Sequence, residues 1–109
     1  MADITRGDIW TVTLEHHPKP RPALVVSIDP INDLLPDVLV IPITSVAGPL
    51  RVPIPDLPAQ TGLNVPSHAK CETVGPIHKS RLKRRIGSLP SETWPAIEAE
   101  IKRVFGIRD

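Results

Sequence analysis

The chain is short of nearly everything that braces large or secreted proteins. Its single cysteine, Cys71, excludes an internal disulfide and any cysteine-based zinc site, and suits a reducing cytoplasm better than a secreted scaffold. Tyrosine is absent, and Trp10, Trp94 and Phe105 are the whole aromatic complement, so a surface that grips nucleic acid mainly by stacking is excluded. No apolar run approaches the roughly 18 residues that cross a bilayer. The opening residues show no basic segment followed by an apolar one, so neither a membrane anchor nor a targeting signal is expected. A glycine-rich phosphate loop, a His-Glu-x-x-His helix, a nucleophile elbow and a calcium loop are all missing. Neither a metal nor another cofactor is expected.

What the chain does have is proline. Fourteen in 109 residues, against a usual share of about 5%, argue for short strands joined by turns and against long helices. The length suits one domain spanning 1–109 with one modest core. Asp8 to Leu14 alternates, with Trp10, Val12 and Leu14 on one face and Thr11 and Thr13 on the other, as in a half-buried strand. His16 to Pro22 holds three prolines and predicts a stiff exposed loop. Ala23 to Ile28 and Val38 to Ile43 are β-branched runs bounded by turn signals at Asp29-Pro30 and Ala47-Gly48-Pro49, hence buried strands. Pro42 removes a ladder donor, so the second of these is expected to end or bulge there. Arg51 to Ile54 predicts an edge strand followed by loop, and Ala69 to Val74 and Arg81 to Ile86 predict two further strands. In the last, Leu82, Arg84 and Ile86 alternate with Arg81, Lys83 and Arg85.

The one clear helix lies at the end, where Trp94, Ile97, Ile101, Val104 and Phe105 recur at helical spacing. Ser91 or Thr93 is expected to cap its start, Pro95 is tolerable in its first turn, and Gly106 terminates it. Short strands with one terminal helix predict a mainly β (α+β) fold, a small strongly bent sheet or barrel with a C-terminal amphipathic helix.

Net charge is only +1, but its distribution is uneven. Residues 68–87 carry six basic groups and one acidic group, whereas each neighbouring stretch is slightly acidic. Lys79, Arg81, Lys83, Arg84 and Arg85 therefore mark either a polyanion-facing surface or a solvated strand edge. His16 and His17, beside Lys19 and Arg21, offer a proton donor and a phosphate clamp, or simply loop histidines. His68 and His78 stand alone.

Read in order, Arg6-Gly7-Asp8-Ile9-Trp10, Arg21-Pro22-Ala23-Leu24-Val25-Val26-Ser27 and Val40-Ile41-Pro42-Ile43-Thr44-Ser45 resemble the MazF/PemK toxins. Gly62-Leu63, Lys70-Cys71-Glu72, Arg81-Leu82 and Gly87-Ser88-Leu89 continue the likeness, as does a terminal helix ending in Phe105-Gly106-Ile107. It covers nearly the whole chain, from Arg6 to Ile107. The resemblance implies an SH3-like β-barrel and a homodimer. It implies a type II toxin held by a cognate antitoxin, and metal-independent, sequence-selective cleavage of single-stranded RNA.

It puts the catalytic roles on Arg21 and Thr44 and RNA binding on Glu72, to which the loop, the strand end and the basic run add His17, Lys19, Ser45, Lys79 and Arg81 as RNA-binding candidates. A guanidinium fork and a hydroxyl can both donate hydrogen bonds to a phosphoryl group gaining negative charge. A guanidinium is a poor proton carrier near neutral pH, which leaves His17 as a candidate shuttle. Two departures stand out. The loop before Arg21 is His16-His17-Pro18-Lys19-Pro20 rather than rich in Gly or Gln, and Thr73 stands where the family often has Gln. Two other readings share the fold: a CcdB-like gyrase-binding toxin, and a non-catalytic nucleic-acid-binding SH3-like module. The first is disfavoured by the lack of a terminal tryptophan, and the second would rest on the Lys79–Arg85 stretch alone.

Overall fold

Among the described residues, seven short strands and three α-helices form in the order β1 (Asp8–Val12), β2 (Arg21–Val25), α1 (Asp29–Leu34), β3 (Asp37–Thr44), β4 (Arg51–Ile54), α2 (Pro58–Thr61), β5 (Ser67–Lys70), β6 (Gly75–His78), β7 (Leu82–Ser88) and α3 (Trp94–Phe105). The computed structural model describes residues 3–108, so both ends of the expected 1–109 span lie outside the described residues. Every pairing is antiparallel, in the order β4-β5-β3-β2-β1-β7, with β6 also on β3.

The middle of the sheet buries both faces, which is why β2 and β3 read as near-continuous apolar runs. Ile9, Leu24, Ile41 and Ile43 join Val52, Ile54, Leu63, Ala69, Cys71 and Ile97 in one core. Trp10, Val12, Ala23, Val25, Val38 and Val40 join Ile77 in a second. Helix α3 closes the first through Trp94, Ile97, Ile101 and Val104. Phe105, expected on that stripe, is 60% exposed, because the last residue of the helix lies past the core that Val104 still reaches.

No ladder joins the two ends of the sheet, β4 and β7, among the described residues. Helix α2 lies in the opening instead, and its contact with β7 is backbone on backbone. A Cβ on Gly87 would sit 2.3 Å from the Thr61 carbonyl carbon, and one on Gly62 would sit 2.2 Å from the Ile86 carbonyl oxygen. Only glycine fits at both positions.

The Arg6-Gly7-Asp8 segment is structural. The Asp8 carboxylate, 4% exposed, accepts hydrogen bonds from the Thr5 amide at 2.9 Å and from Trp10 Nε1 at 3.3 Å, and pairs with Arg85 Nε at 2.9 Å. The Arg6 guanidinium lies 3.7 Å above the Trp94 ring and donates to the Val26 carbonyl and to Glu98. First strand and last helix are thereby tied together.

Several expectations are corrected. Asp29-Pro30 opens a helical turn rather than a simple reversal, and Pro58 opens another, because proline costs nothing at the first helical position. The strand expected over Ala69 to Val74 stops at Lys70, and Cys71–Thr73 forms a 3-10 turn that swings Cys71 into the core. β3 runs past Pro42 to Thr44. Pro42 falls where β3 changes partner from β6 (Asp37 to Val40) to β5 (Ile43 and Thr44), so its missing N–H interrupts neither ladder. The alternation expected in β7 is broken by two register shifts against β1. Thr93 stands at the N-cap of α3 as expected, but it ends a 3-10 turn and its hydroxyl is buried without a partner, so no side chain caps the helix.

Two stability predictions follow from this packing. Gly87→Ala should cost about 1–3 kcal/mol or more, because α2 must move to admit a methyl group. Asp8→Ala should cost about 2–3 kcal/mol by leaving buried donors without an acceptor. Urea denaturation midpoints check both, and an unchanged midpoint for either variant contradicts the corresponding contact.

Candidate active site

Arg21 opens β2 and Thr44 closes β3. Ala23 pairs with Pro42, and continuing that antiparallel register by two residues sets Arg21 level with Thr44 on one sheet face. Both line a cavity of about 290 Å³ with Ser45, Asn64 and Ser67. The Arg21 side chain is exposed and makes no hydrogen bond or ion pair among the described residues, so its guanidinium donors are left to solvent.

Thr44 is held from behind. The Val46 amide donates to its Oγ1 at 3.2 Å, which occupies a lone pair and leaves the hydroxyl hydrogen to donate elsewhere. The Val46 carbonyl accepts from Arg51 Nη1 at 2.8 Å. Arg51 in turn forks onto Glu72 Oε2, at 3.1 Å from Nε and 3.0 Å from Nη2. Slight desolvation would raise the Glu72 carboxyl, but a backbone N–H bond and Arg51 outweigh it and hold the group below its ordinary 4.5. Across β3 from Arg21, His68 is paired directly with Thr44, and its Nδ1 is buried without a partner. Lys70 pairs with Arg51 across β5 and β4.

The site residues expected from sequence fall into groups. Arg21, Thr44 and Ser45 share the cavity. Glu72 reaches the same corner through Arg51. His17 and Lys19 are exposed in the β1–β2 loop leading to Arg21, and neither lines the cavity that holds Arg21 and Thr44. Arg81 lines a second cavity of about 370 Å³ with Thr13, Pro42, Thr73 and His78. Its Nη1 donates to the Thr13 carbonyl at 3.4 Å. Lys79 is not brought in: its amide bonds the Pro36 carbonyl at the opposite end of β3, roughly 25 Å along the strand from Thr44.

The basic run is thus dispersed. Arg85 is committed to Asp8, while Lys83 and Arg84 are exposed on β7. Sequence reasoning gave Arg51, Lys70 and His68 no role at the site. Arg51 carried one signal, as the sole basic residue between 30 and 67.

The buried Cys71 thiol is pushed up to about 11 by burial first, then by Glu100 and Glu72, which makes it an inert packing group. Among the described residues, no group of three or more His, Cys, Asp or Glu is placed to hold a metal ion. No helix is long and apolar enough to cross a membrane.

Comparison with known proteins places this geometry. Residues 5–105 match the family model of the PemK-like, MazF-like toxins of type II toxin-antitoxin systems. The chain is 33% identical over 89 residues to the endoribonuclease MazF3 of Mycobacterium tuberculosis, covering 82% of this chain and 85% of that protein. It superposes on the solved structure of the Mycobacterium tuberculosis toxin MazF-mt6 with a TM-score of 0.80 at 32% identity, covering 94% of this chain and 99% of that one. It superposes equally well on a mycobacterial endoribonuclease solved in complex with its cognate antitoxin (TM-score 0.81, 100% and 99% covered), where 19% identity speaks for the fold alone. With the family model spanning both Arg21 and Thr44, the chain belongs to the PemK-like, MazF-like toxins of type II toxin-antitoxin systems.

Proposed function

We propose that this toxin is an endoribonuclease that cuts single-stranded RNA by attack of the RNA's own 2′-hydroxyl, with Arg21 and Thr44 at the reacting phosphate. The supporting observation is that these two residues, 23 positions apart in sequence, line one cavity with their donors uncommitted to the protein. The Arg21 fork binds two phosphoryl oxygens, and the Thr44 hydroxyl donates to the same group as charge builds on it. The 2′-oxygen bonds to phosphorus and the 5′-oxygen departs, without a metal or other cofactor.

Ser45 adds a donor at the cavity rim. Lys19 and His17 meet the strand from the β1–β2 loop, with His17 as the candidate proton shuttle. Arg81 and Thr73 take the RNA into the second cavity, and Lys79 serves only an RNA long enough to reach the far end of β3. Glu72, already paired, acts on RNA through Arg51. The sheet reads as an SH3-like barrel in which α2, laid against β7, supplies the closure that no ladder provides. In this reading the chain is one cytoplasmic toxin domain, a homodimer silenced by a cognate antitoxin. The solved mycobacterial neighbour in complex with its antitoxin supports that partnership.

The gyrase-binding reading gives Arg21 and Thr44 no task, and the family match does not favour it or the non-catalytic module. With a mixed-sequence RNA in EDTA, Arg21→Ala and Thr44→Ala should each slow cleavage by about a hundredfold or more. Both should keep salt-sensitive RNA binding. Gel analysis of the fragments checks this, and cleavage at the wild-type rate by either variant contradicts the assignment.

A further inference from the structure

We infer that Arg51 is a positioning residue for the Thr44 hydroxyl and that Glu72 is its anchor, so that the pair acts on the cleavage step rather than on RNA binding. The inference deepens the ribonuclease reading and rests on it.

The geometry is a relay of four groups. Glu72 Oε2 takes both Nε and Nη2 of Arg51, at 3.1 and 3.0 Å, which fixes the plane of the guanidinium. The remaining nitrogen, Nη1, then points at the Val46 carbonyl, 2.8 Å away. The same residue's amide donates to Thr44 Oγ1 at 3.2 Å. Val46 is therefore gripped through both its carbonyl and its amide, and Thr44 Oγ1 has one lone pair committed to the protein. A hydroxyl that already accepts from behind presents its hydrogen forward, the polarity needed to stabilise charge on a phosphoryl oxygen.

Three features show that the arrangement is built rather than incidental. The Arg51 amide bonds the Gly48 carbonyl at 3.2 Å, so the residue that clamps the Val46 carbonyl also closes the Gly48–Arg51 turn that follows it. A Cβ on Gly48 would lie 3.1 Å from Arg51 Cδ and 3.2 Å from Nε, so a side chain there would press on the guanidinium. The Arg51 side chain is also only 18% exposed, well covered for a surface arginine. Glu72 and Arg51 satisfy each other, so neither offers RNA a full charge.

The test is a double-mutant cycle read under single-turnover conditions with enzyme in excess over a single-stranded RNA. Thermal melts of each variant confirm that it is folded. Arg51→Ala should lower the maximal cleavage rate by about ten- to a hundredfold while changing RNA affinity less than about threefold, as expected when a reacting group drifts from its place. Arg51→Lys, which keeps the charge but not the fork, should be nearly as slow, and Glu72→Gln should show a smaller loss of the same kind. In the Thr44→Ala background, Arg51→Ala should add less than about a twofold loss, because the hydroxyl it positions is gone.

Equal losses from Arg51→Ala in both backgrounds, or a loss confined to RNA affinity, would overturn the inference while leaving the ribonuclease reading intact. A wild-type protein that cuts no RNA, or a Thr44→Ala variant as fast as wild type, would overturn both.

Discussion

The register of β3 is the constraint on which the rest depends. Three strands pair with it: β2 along one edge, and β6 then β5 along the other. Successive side chains on a strand face opposite ways, so a one-residue slip would send Ile43 out of its core and drive Thr44 into it. A buried polar network prevents the slip. Ser27 Oγ accepts from the Leu39 amide at 3.1 Å and bonds Asn32 Oδ1, and Asn32 Nδ2 returns to the Ser27 carbonyl at 3.0 Å. Breaking it strands several buried polar groups, each costing about 1–3 kcal/mol. Helix α1 carries Asn32, so this six-residue connection sets where Arg21 and Thr44 meet.

With the strands in register, the arginines divide into those that hold the protein and one that does not. Arg6 stacks on Trp94 and reaches Glu98, Arg85 pairs with buried Asp8, and Arg51 with Glu72. The Arg21 side chain has no such commitment among the described residues and projects beside a cavity that Thr11, Thr44, Ser45 and Ser67 line with hydroxyls. An anion entering there meets a guanidinium whose donors are free, so no internal ion pair has to break before a phosphate can bind.

The strands were legible where local pattern and long-range packing agree. Arg51–Ile54 has the expected bounds, whereas β1, read as half-buried as far as Leu14, is covered on both faces and ends at Val12. The 3-10 turn at Cys71–Thr73 was not legible, because Ala69 and Cys71 are both buried and read as one alternating strand until Lys70 turns the chain. Nor were the irregularities of β7, which depend on its pairing with β1. The pairing of Arg21 with Thr44 came from family resemblance, since nothing local joins a loop arginine to a threonine 23 residues on. The Arg51–Glu72 link was invisible for a related reason. It exists only once β4 and β5 are in register and Gly48 leaves room for the guanidinium. The charge run, by contrast, overstated Lys79, which the fold carries to the opposite end of β3.

The most direct measurement of the central claim is the chemistry of the cut ends. Wild-type protein is incubated in EDTA with a single-stranded RNA containing a preferred site, beside the same strand with one 2′-deoxynucleotide on the 5′ side of the cut. Attack by the 2′-hydroxyl predicts a 2′,3′-cyclic phosphate on one fragment, a 5′-hydroxyl on the other, and no cut in the deoxy-substituted strand. A 3′-hydroxyl with a 5′-phosphate, or cleavage of the deoxy-substituted strand at the wild-type rate, would contradict the account.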